Sequence, residues 1–240
     1  MDIYEKYHSN RRLFRRTPNL NNFTYNRLFN LLDKYISKKK TSLDIGCGVG
    51  TISAYLASRG MLVKGVDISE NAIMVARQNA RNLGLDKLSE FKKMNFPSVK
   101  PNEKFDLVVC SEVLEHLKYD RRAISVVYSL LKRNGFLVIT APSLNAPLYR
   151  LGMLKGFDKK VGHIRRYRKG KLINMLRNAG FSIIESGKWE GILRNFIFTN
   201  RLAGFFIKFL RGPVANFFTF IDDLTIPIFG ESDVYIIAKK

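Results

Sequence analysis

Cysteine is scarce. Only Cys47 and Cys110 occur in 240 residues, too few for a disulfide framework or a four-cysteine zinc site, and such usage suits a reducing compartment. Acidic side chains are also few, 20 Asp+Glu against 41 Lys+Arg, which leaves a formal net charge of +21. No charge-free apolar run approaches the roughly 18 residues of a membrane-spanning helix, so no span is expected. No apolar stretch follows Asp2, Glu5 and Lys6, so no signal peptide is expected either. Internal repeats and low-complexity tracts are missing, which leaves function to be read from motifs. What is present is globular: 46 % hydrophobic and 12 % aromatic residues, in a chain long enough to bury a core without covalent staples. The expected organisation is one domain over 1–240 with three elaborations: a basic arm and helix at 1–40, a basic insertion at 143–170 and an aromatic-rich insertion at 190–231.

The positive charge is regional. Residues 1–40 carry +7, residues 41–120 carry 0, residues 121–184 carry +13 and residues 185–240 carry +1. The densest stretch, Lys155 to Lys171, holds eight Lys/Arg with only Asp158 opposing them. Such a cluster attracts phosphates, phosphorylated small molecules or anionic head groups. The third elaboration is different in kind, with 9 of the 18 Phe in its 42 residues. Apolar stretches there, Phe205–Leu210 and Phe217–Ile221, read as two short helices broken at Gly212-Pro213 and able to lie in a membrane interface.

Between these additions, short apolar runs alternate with helical patterns, the sign of an α/β fold with a mostly parallel sheet. Strands are expected at Ser42–Gly46, Leu62–Ile68, Ser89–Phe96, Phe105–Cys110, Gly135–Ala141, Phe181–Ser186 and Asp233–Ala238. Helices are expected at Phe23–Ile36, at Thr51–Arg59, from a Ser69 cap to Gly84, from an Asp120 cap to Arg133, and at Lys171–Ala179.

The first strand runs into Leu43-Asp44-Ile45-Gly46-Cys47-Gly48-Val49-Gly50 and then a helix. Glycines there let the backbone turn tightly and approach a ligand, and free N–H groups at the helix start favour an anion. The spacing is G-x-G-x-G, a poor match to the dinucleotide fingerprint G-x-G-x-x-G. Asp67, at the end of the second strand, can accept hydrogen bonds from both hydroxyls of a ribose.

LDIGCGVG, followed by GVDIS and FDLVVCSEVLEHL, resembles the class I S-adenosylmethionine-dependent methyltransferases, in the small-molecule and lipid branch that includes the ubiquinone O-methyltransferase-like proteins. The resemblance implies a Rossmann-like seven-stranded sheet with helices on both faces, six strands parallel and the last antiparallel, and S-adenosyl-L-methionine as cofactor. It also implies that Asp44, Gly46, Cys47, Gly48 and Gly50 border the methionine moiety and that Asp67 and Ile68 meet the ribose. Asn95, where the family usually has Asp, and Phe96 would lie beside the adenine, and Ser111 and Glu112 under the sulfonium. His163-Ile164-Arg165-Arg166-Tyr167 and Ala179-Gly180-Phe181 match a further family segment.

A sulfonium is already an activated leaving group, so methyl transfer needs alignment above all, and a base when the acceptor is a hydroxyl. Three histidines could serve. His163, in the basic insertion over the acceptor side, is the preferred base; His116 reads equally as a structural helix-start residue; His8 acts only if the arm folds over the site. Glu112 and Glu115 read as helix-start residues with one cofactor contact, and no metal constellation is visible. An Asp/Asn-Pro-Pro-aromatic motif and a cysteine before the proline after the fifth strand are both missing, Cys110-Ser111-Glu112-Val113 and Thr140-Ala141-Pro142-Ser143 standing in their places. Nucleic acid is therefore the less favoured acceptor. The expected function is direct transfer to an oxygen of a small-molecule or lipid-type acceptor with anionic character, by a cytoplasmic protein that is peripheral on the cytoplasmic membrane face. An RNA methyltransferase and a non-catalytic polyanion- or membrane-binding module are the alternatives.

Overall fold

The computed structural model describes residues 13–37, 40–205 and 212–240. His8 and the apolar stretch Phe206, Phe209 and Leu210, with Lys208 and Arg211, lie outside these.

Seven strands form one sheet: β1 (Thr41–Ile45), β2 (Leu62–Asp67), β3 (Ser89–Lys93), β4 (Phe105–Ser111), β5 (Leu131–Pro142), β6 (Ser182–Trp189) and β7 (Asp233–Lys239). Their order is β3-β2-β1-β4-β5-β7-β6; β1 to β5 pair in parallel, and β7 runs antiparallel between β5 and β6. The central strands are apolar on both faces because helices cover both. Period-two alternation splits them cleanly. Leu43, Ile45, Val108, Cys110 and Ile139 pack with α4 (Asp120–Leu130) and α7 (Lys169–Asn178). Leu107, Val109, Val138 and Ile237 pack with α1 (Asn26–Asp33) and α2 (Thr51–Ser58).

The strand order reverses between β1 and β4. Both carboxyl ends therefore open onto a crevice with no crossover above it, where open α/β sheets bind ligands. Helix α3 (Glu70–Asn82) begins beside the crevice, with the Ser69 hydroxyl accepting from Ala72 N at 3.1 Å. The segments after β5 and β6 add α5 (Pro147–Arg150), α6 (Lys155–Val161), α8 (Ile192–Thr199), α9 (Arg201–Gly204) and α10 (Gly212–Phe229), and residues of α6, α8 and α10 line the crevice.

Several boundaries differ from expectation for local reasons. Helix α4 stops at Leu130 rather than Arg133, because Leu131 already pairs with Phe105 in the sheet. Asp120 is the first helical residue, not the cap; its carboxylate is taken by Arg165 and Tyr167. Strand β3 ends at Lys93, three residues early, with Met94 N donating to Asp67 O. Gly212-Pro213 opens the long helix α10, proline being at home in a first turn. Helix α8 was not expected at all.

Candidate active site

The glycine turn is built by β1, β2 and α2. Gly46 N and Cys47 N both donate to Val66 O, at 2.8 and 3.0 Å, which folds the turn back over the end of β2. Gly46, Gly48 and Gly50 all have positive φ, of 69°, 52° and 84°. At Gly46 a Cβ would stand 2.4 Å from Val113 Cγ2, so only glycine holds this path open. Asp67 grips the turn, its Oδ2 accepting from Gly48 N at 2.8 Å and its Oδ1 from Ser69 N at 2.9 Å. Asn79 adds a brace, donating to Val49 O and accepting from Phe14 N, which ties residues 13–25 to the crevice.

One cavity of about 1670 Å³ runs from this turn to the far side of the sheet. Of the eleven residues expected at the cofactor, nine line it: Gly46, Cys47, Gly48, Asp67, Ile68, Asn95, Phe96, Ser111 and Glu112. Two stand behind the wall. Gly50 leaves no room for a side chain, a Cβ there meeting Ala76 and Phe91, and Asp44 is buried with its Oδ2 accepting from Ser53 Oγ at 2.6 Å. The Cys47 thiol turns away toward Phe91 and the apolar cluster beneath α3. These residues fit a bulky zwitterion with a ribose: a close backbone approach at the glycines and a carboxylate already oriented.

Burial raises the Asp44 carboxyl from 3.8 to about 7, with the Ser53 bonds opposing the shift. The folded state thus holds a proton that the unfolded chain has released. Stability from that proton is complete below pH 4 and is lost as pH rises through 7. Asp44→Asn keeps an acceptor for Ser53 and removes the titration. Chemical denaturation from pH 4 to 8 is expected to show a wild-type decline larger than the variant's by on the order of 4 kcal/mol, three units at about 1.4 kcal/mol each.

Opposite the turn, the end of β4 is strained. Glu112 has φ 54°, and its Oε1 accepts from Thr140 Oγ1 at 2.8 Å. Leu114–His116 form one 3-10 turn, and Ile164 N donates to Glu115 O, which docks the basic insertion on it. His163, itself lining the cavity, directs Nδ1 at Asp158 Oδ1 (3.1 Å), and His116 directs Nδ1 at Gly162 O (3.0 Å). Both partners only accept, so each ring carries its proton on Nδ1 when neutral. Nε2 of His163 lies 3.6 Å and Nε2 of His116 3.7 Å from Glu115 Oε1. The Glu115 carboxylate is fully buried with no hydrogen-bond partner, and burial together with Glu112 pushes it well above the ordinary range. Burial pulls His116 down. Burial would also raise Asp158, but hydrogen bonds from His163 and Arg166 outweigh it and hold that carboxyl low.

The sequence offered no metal constellation, yet Glu115, His116 and His163 place ligand atoms within 4.8 Å of one another and could together hold a metal ion. Sequence reasoning also missed Glu190 and Asp233, which line the cavity at the ends of β6 and β7. Glu190 has φ 60° and is held by Arg194, fully buried, whose guanidinium also donates to Phe23 O at 2.8 Å. Asp233 is pushed up by burial and by the Glu112 and Glu190 carboxyls beside it. A positive-φ glutamate leaves no trace in sequence; only its place next to Gly191 hinted at a turn.

A glycine turn over a parallel switch point, an acid positioned for a ribose on the next strand and a large cavity shared with polar groups from β4 and β5 are arranged as the resemblance to class I S-adenosylmethionine-dependent methyltransferases implies. The chain belongs to the methyltransferase-domain family, whose model matches residues 14–186. Among curated relatives, the ubiquinone biosynthesis O-methyltransferase of Glaesserella parasuis is 36 % identical over 118 residues, 47 % of this chain and 49 % of that one. That of Pseudomonas entomophila is 30 % identical over 128 residues, 52 % and 54 % of the two chains. The chain thus spans about half the length of the curated relatives it matches. Solved structures share the fold: N-methyltransferase NodS from Bradyrhizobium japonicum, with S-adenosyl-L-homocysteine, has TM-score 0.63 at 18 % identity over 99 % of this chain and 96 % of that one. Magnesium protoporphyrin IX methyltransferase from Synechocystis PCC 6803, also with the demethylated cofactor bound, has TM-score 0.62 at 21 % identity, covering 90 % and 82 %.

Proposed function

We propose that the protein transfers the methyl group of S-adenosyl-L-methionine in line to an oxygen of a small amphiphilic acceptor, met at an anionic membrane surface. The observation that carries this reading is the single cavity joining the glycine turn and Asp67 to the His163–Asp158 pair. When bound, the cofactor supplies an activated methyl group. Gly46, Cys47 and Gly48 border its methionine end, Asp67 and Ile68 its ribose, Asn95 and Phe96 its adenine, and Ser111 and Glu112 the sulfonium; Asp44 and Gly50 support the turn from behind. His163, oriented through Nδ1 by Asp158, offers Nε2 to the acceptor hydroxyl as general base. Oxygen as the accepting atom draws support from the curated relatives, which are named as O-methyltransferases of ubiquinone biosynthesis.

The surface around the cavity supports an amphiphile. Arg165 and Arg166 of the basic insertion are spent on Asp120 and Asp158, whereas Lys155, Lys159 and Lys160 stand exposed. Helix α10 turns Asp222 inward and Phe217, Phe220, Ile221, Leu224 and Ile228 outward, a stripe at helical spacing that faces solvent rather than core. Among the described residues no helix is long and apolar enough to cross a membrane, so this stripe suits the interface.

Incubation with labelled S-adenosylmethionine and a cell extract, then partition into lipid, RNA, protein and small-molecule fractions, is expected to place the label in lipid or small molecules. Label confined to RNA or protein overturns the acceptor class. In parallel, the protein should pellet with anionic liposomes at low salt, and absence of pelleting at any salt removes the membrane from the reading.

A further inference from the structure

A side hollow, here called the branch, adjoins the reaction cavity. Between α5, α6 and α8 lies a second hollow of about 340 Å³, which shares Phe157, Lys160 and Thr199 with the main cavity. The main cavity exceeds the roughly 300–1,000 Å³ typical of a small-molecule site, so it has room for a second molecule beside the cofactor. The branch has a different character. Its wall is Leu148, Met153, Leu154, Phe157 and Phe196, with the open backbone of Gly156. The polar groups there are engaged within their own elements: Thr199 Oγ1 donates to Asn195 O at 2.6 Å, and Asn200 Oδ1 accepts from Leu202 N and Ala203 N. Lys160 brings the one charged group of the wall, and it stands at the junction. Away from the junction, Met153 and Phe196 are 63 % and 47 % exposed, so the branch opens onto apolar surface.

We propose that this branch is a tail subsite: a hydrocarbon chain attached to the acceptor's polar head leaves the reaction cavity past Lys160 and lies between α6 and α8. The proposal rests on the methyl-transfer reading for the identity of the head but not for the binding of the chain. Each methylene taken from water into such a groove strengthens binding by up to about fourfold, so the subsite selects acceptors by tail and leaves the chemistry to the other end. The occupant is the acceptor's own tail, because the groove adjoins the cavity that holds the reacting groups across the shared Phe157, Lys160 and Thr199.

Short n-alkyl phosphates serve as probes, the phosphate matching Lys160 and the chain length being the variable. Calorimetry with butyl, hexyl and octyl phosphate, all below their micelle concentrations, is expected to give affinities that rise at least tenfold from butyl to octyl. Gly156→Trp tests the location. A Cβ at Gly156 meets nothing within 4 Å, so an indole has room at this exposed helix position on the wall of the branch and can cover it without disturbing the core. This variant, with its melting midpoint checked against the wild type, should bind the three probes within threefold of one another. Phe196→Glu should flatten the series likewise by putting a carboxylate in the wall. Equal affinities in the wild type, or an undiminished rise in both variants, overturn the subsite. Because these titrations need no cofactor, they succeed or fail apart from S-adenosylhomocysteine binding and labelled methyl transfer, which test the reaction itself.

Discussion

Gly46→Ala is expected to weaken S-adenosylmethionine binding about a hundredfold while the protein stays folded. Two costs fall on the substitution. A left-handed residue other than glycine loses about 1–2 kcal/mol, and the new Cβ, 2.4 Å from Val113 Cγ2, forces either Val113 or the turn to move. Movement of the turn disturbs the grip of Asp67 on Gly48 and the wall of the cavity together. Gly84→Ala separates these costs. Gly84 has φ +67° against +69° at Gly46, yet nothing lies within 4 Å of its Cβ position. Both variants should melt earlier, Gly46→Ala by more because it carries the clash as well, and only Gly46→Ala should lose cofactor affinity in calorimetry. Equal affinity in the two variants would remove the turn from the cofactor site.

His163→Ala should lower kcat by about 10²–10³, within the range for removal of a general base, with cofactor affinity unchanged. Asp158→Asn provides the finer test. The carboxylate accepts from His163 Nδ1 and from Arg166 Nε and Nη2, at 3.1, 2.9 and 2.6 Å. An amide in its place releases the ring to the opposite tautomer, which removes the Nε2 lone pair from the cavity. A tenfold or larger fall in kcat with KM little changed is expected. If kcat survives His163→Ala, the base lies elsewhere, with His116, which also lines the cavity, next in line.

The cofactor half of the molecule was legible because its determinants are local. A glycine turn between a strand and a helix, and an acid at the next strand end, are set by neighbours in sequence; Asp44, Gly46, Gly48 and Asp67 all fall within 24 residues. The acceptor half was not, because its groups come from segments far apart in the chain. Glu115 meets His163 across 48 residues, Arg194 meets the Phe23 carbonyl across 171, and Asp222 caps α8 from α10 by accepting from Gly191, Leu193 and Arg194 N. No periodicity marks such pairs. Charge patterning marked the basic arm and insertion, from which Arg16, Lys160 and Arg166 line the cavity, but not that Arg165 and Arg166 would be consumed internally while the cavity floor collects Glu112, Glu190 and Asp233.

Strands β6 and β7 run antiparallel, with Trp189 directly opposite Asp233. In effect they are the legs of a hairpin whose tip has been replaced by α8, α9 and α10. Everything that covers the acceptor from this side therefore enters and leaves the sheet at one point, and the pairing below would close equally well over a short turn. On the proposed reading such a segment is exchangeable as a cassette: grafting the corresponding loop of another family member between Trp189 and Asp233 is expected to change what is methylated and to leave the glycine turn and Asp67 in place.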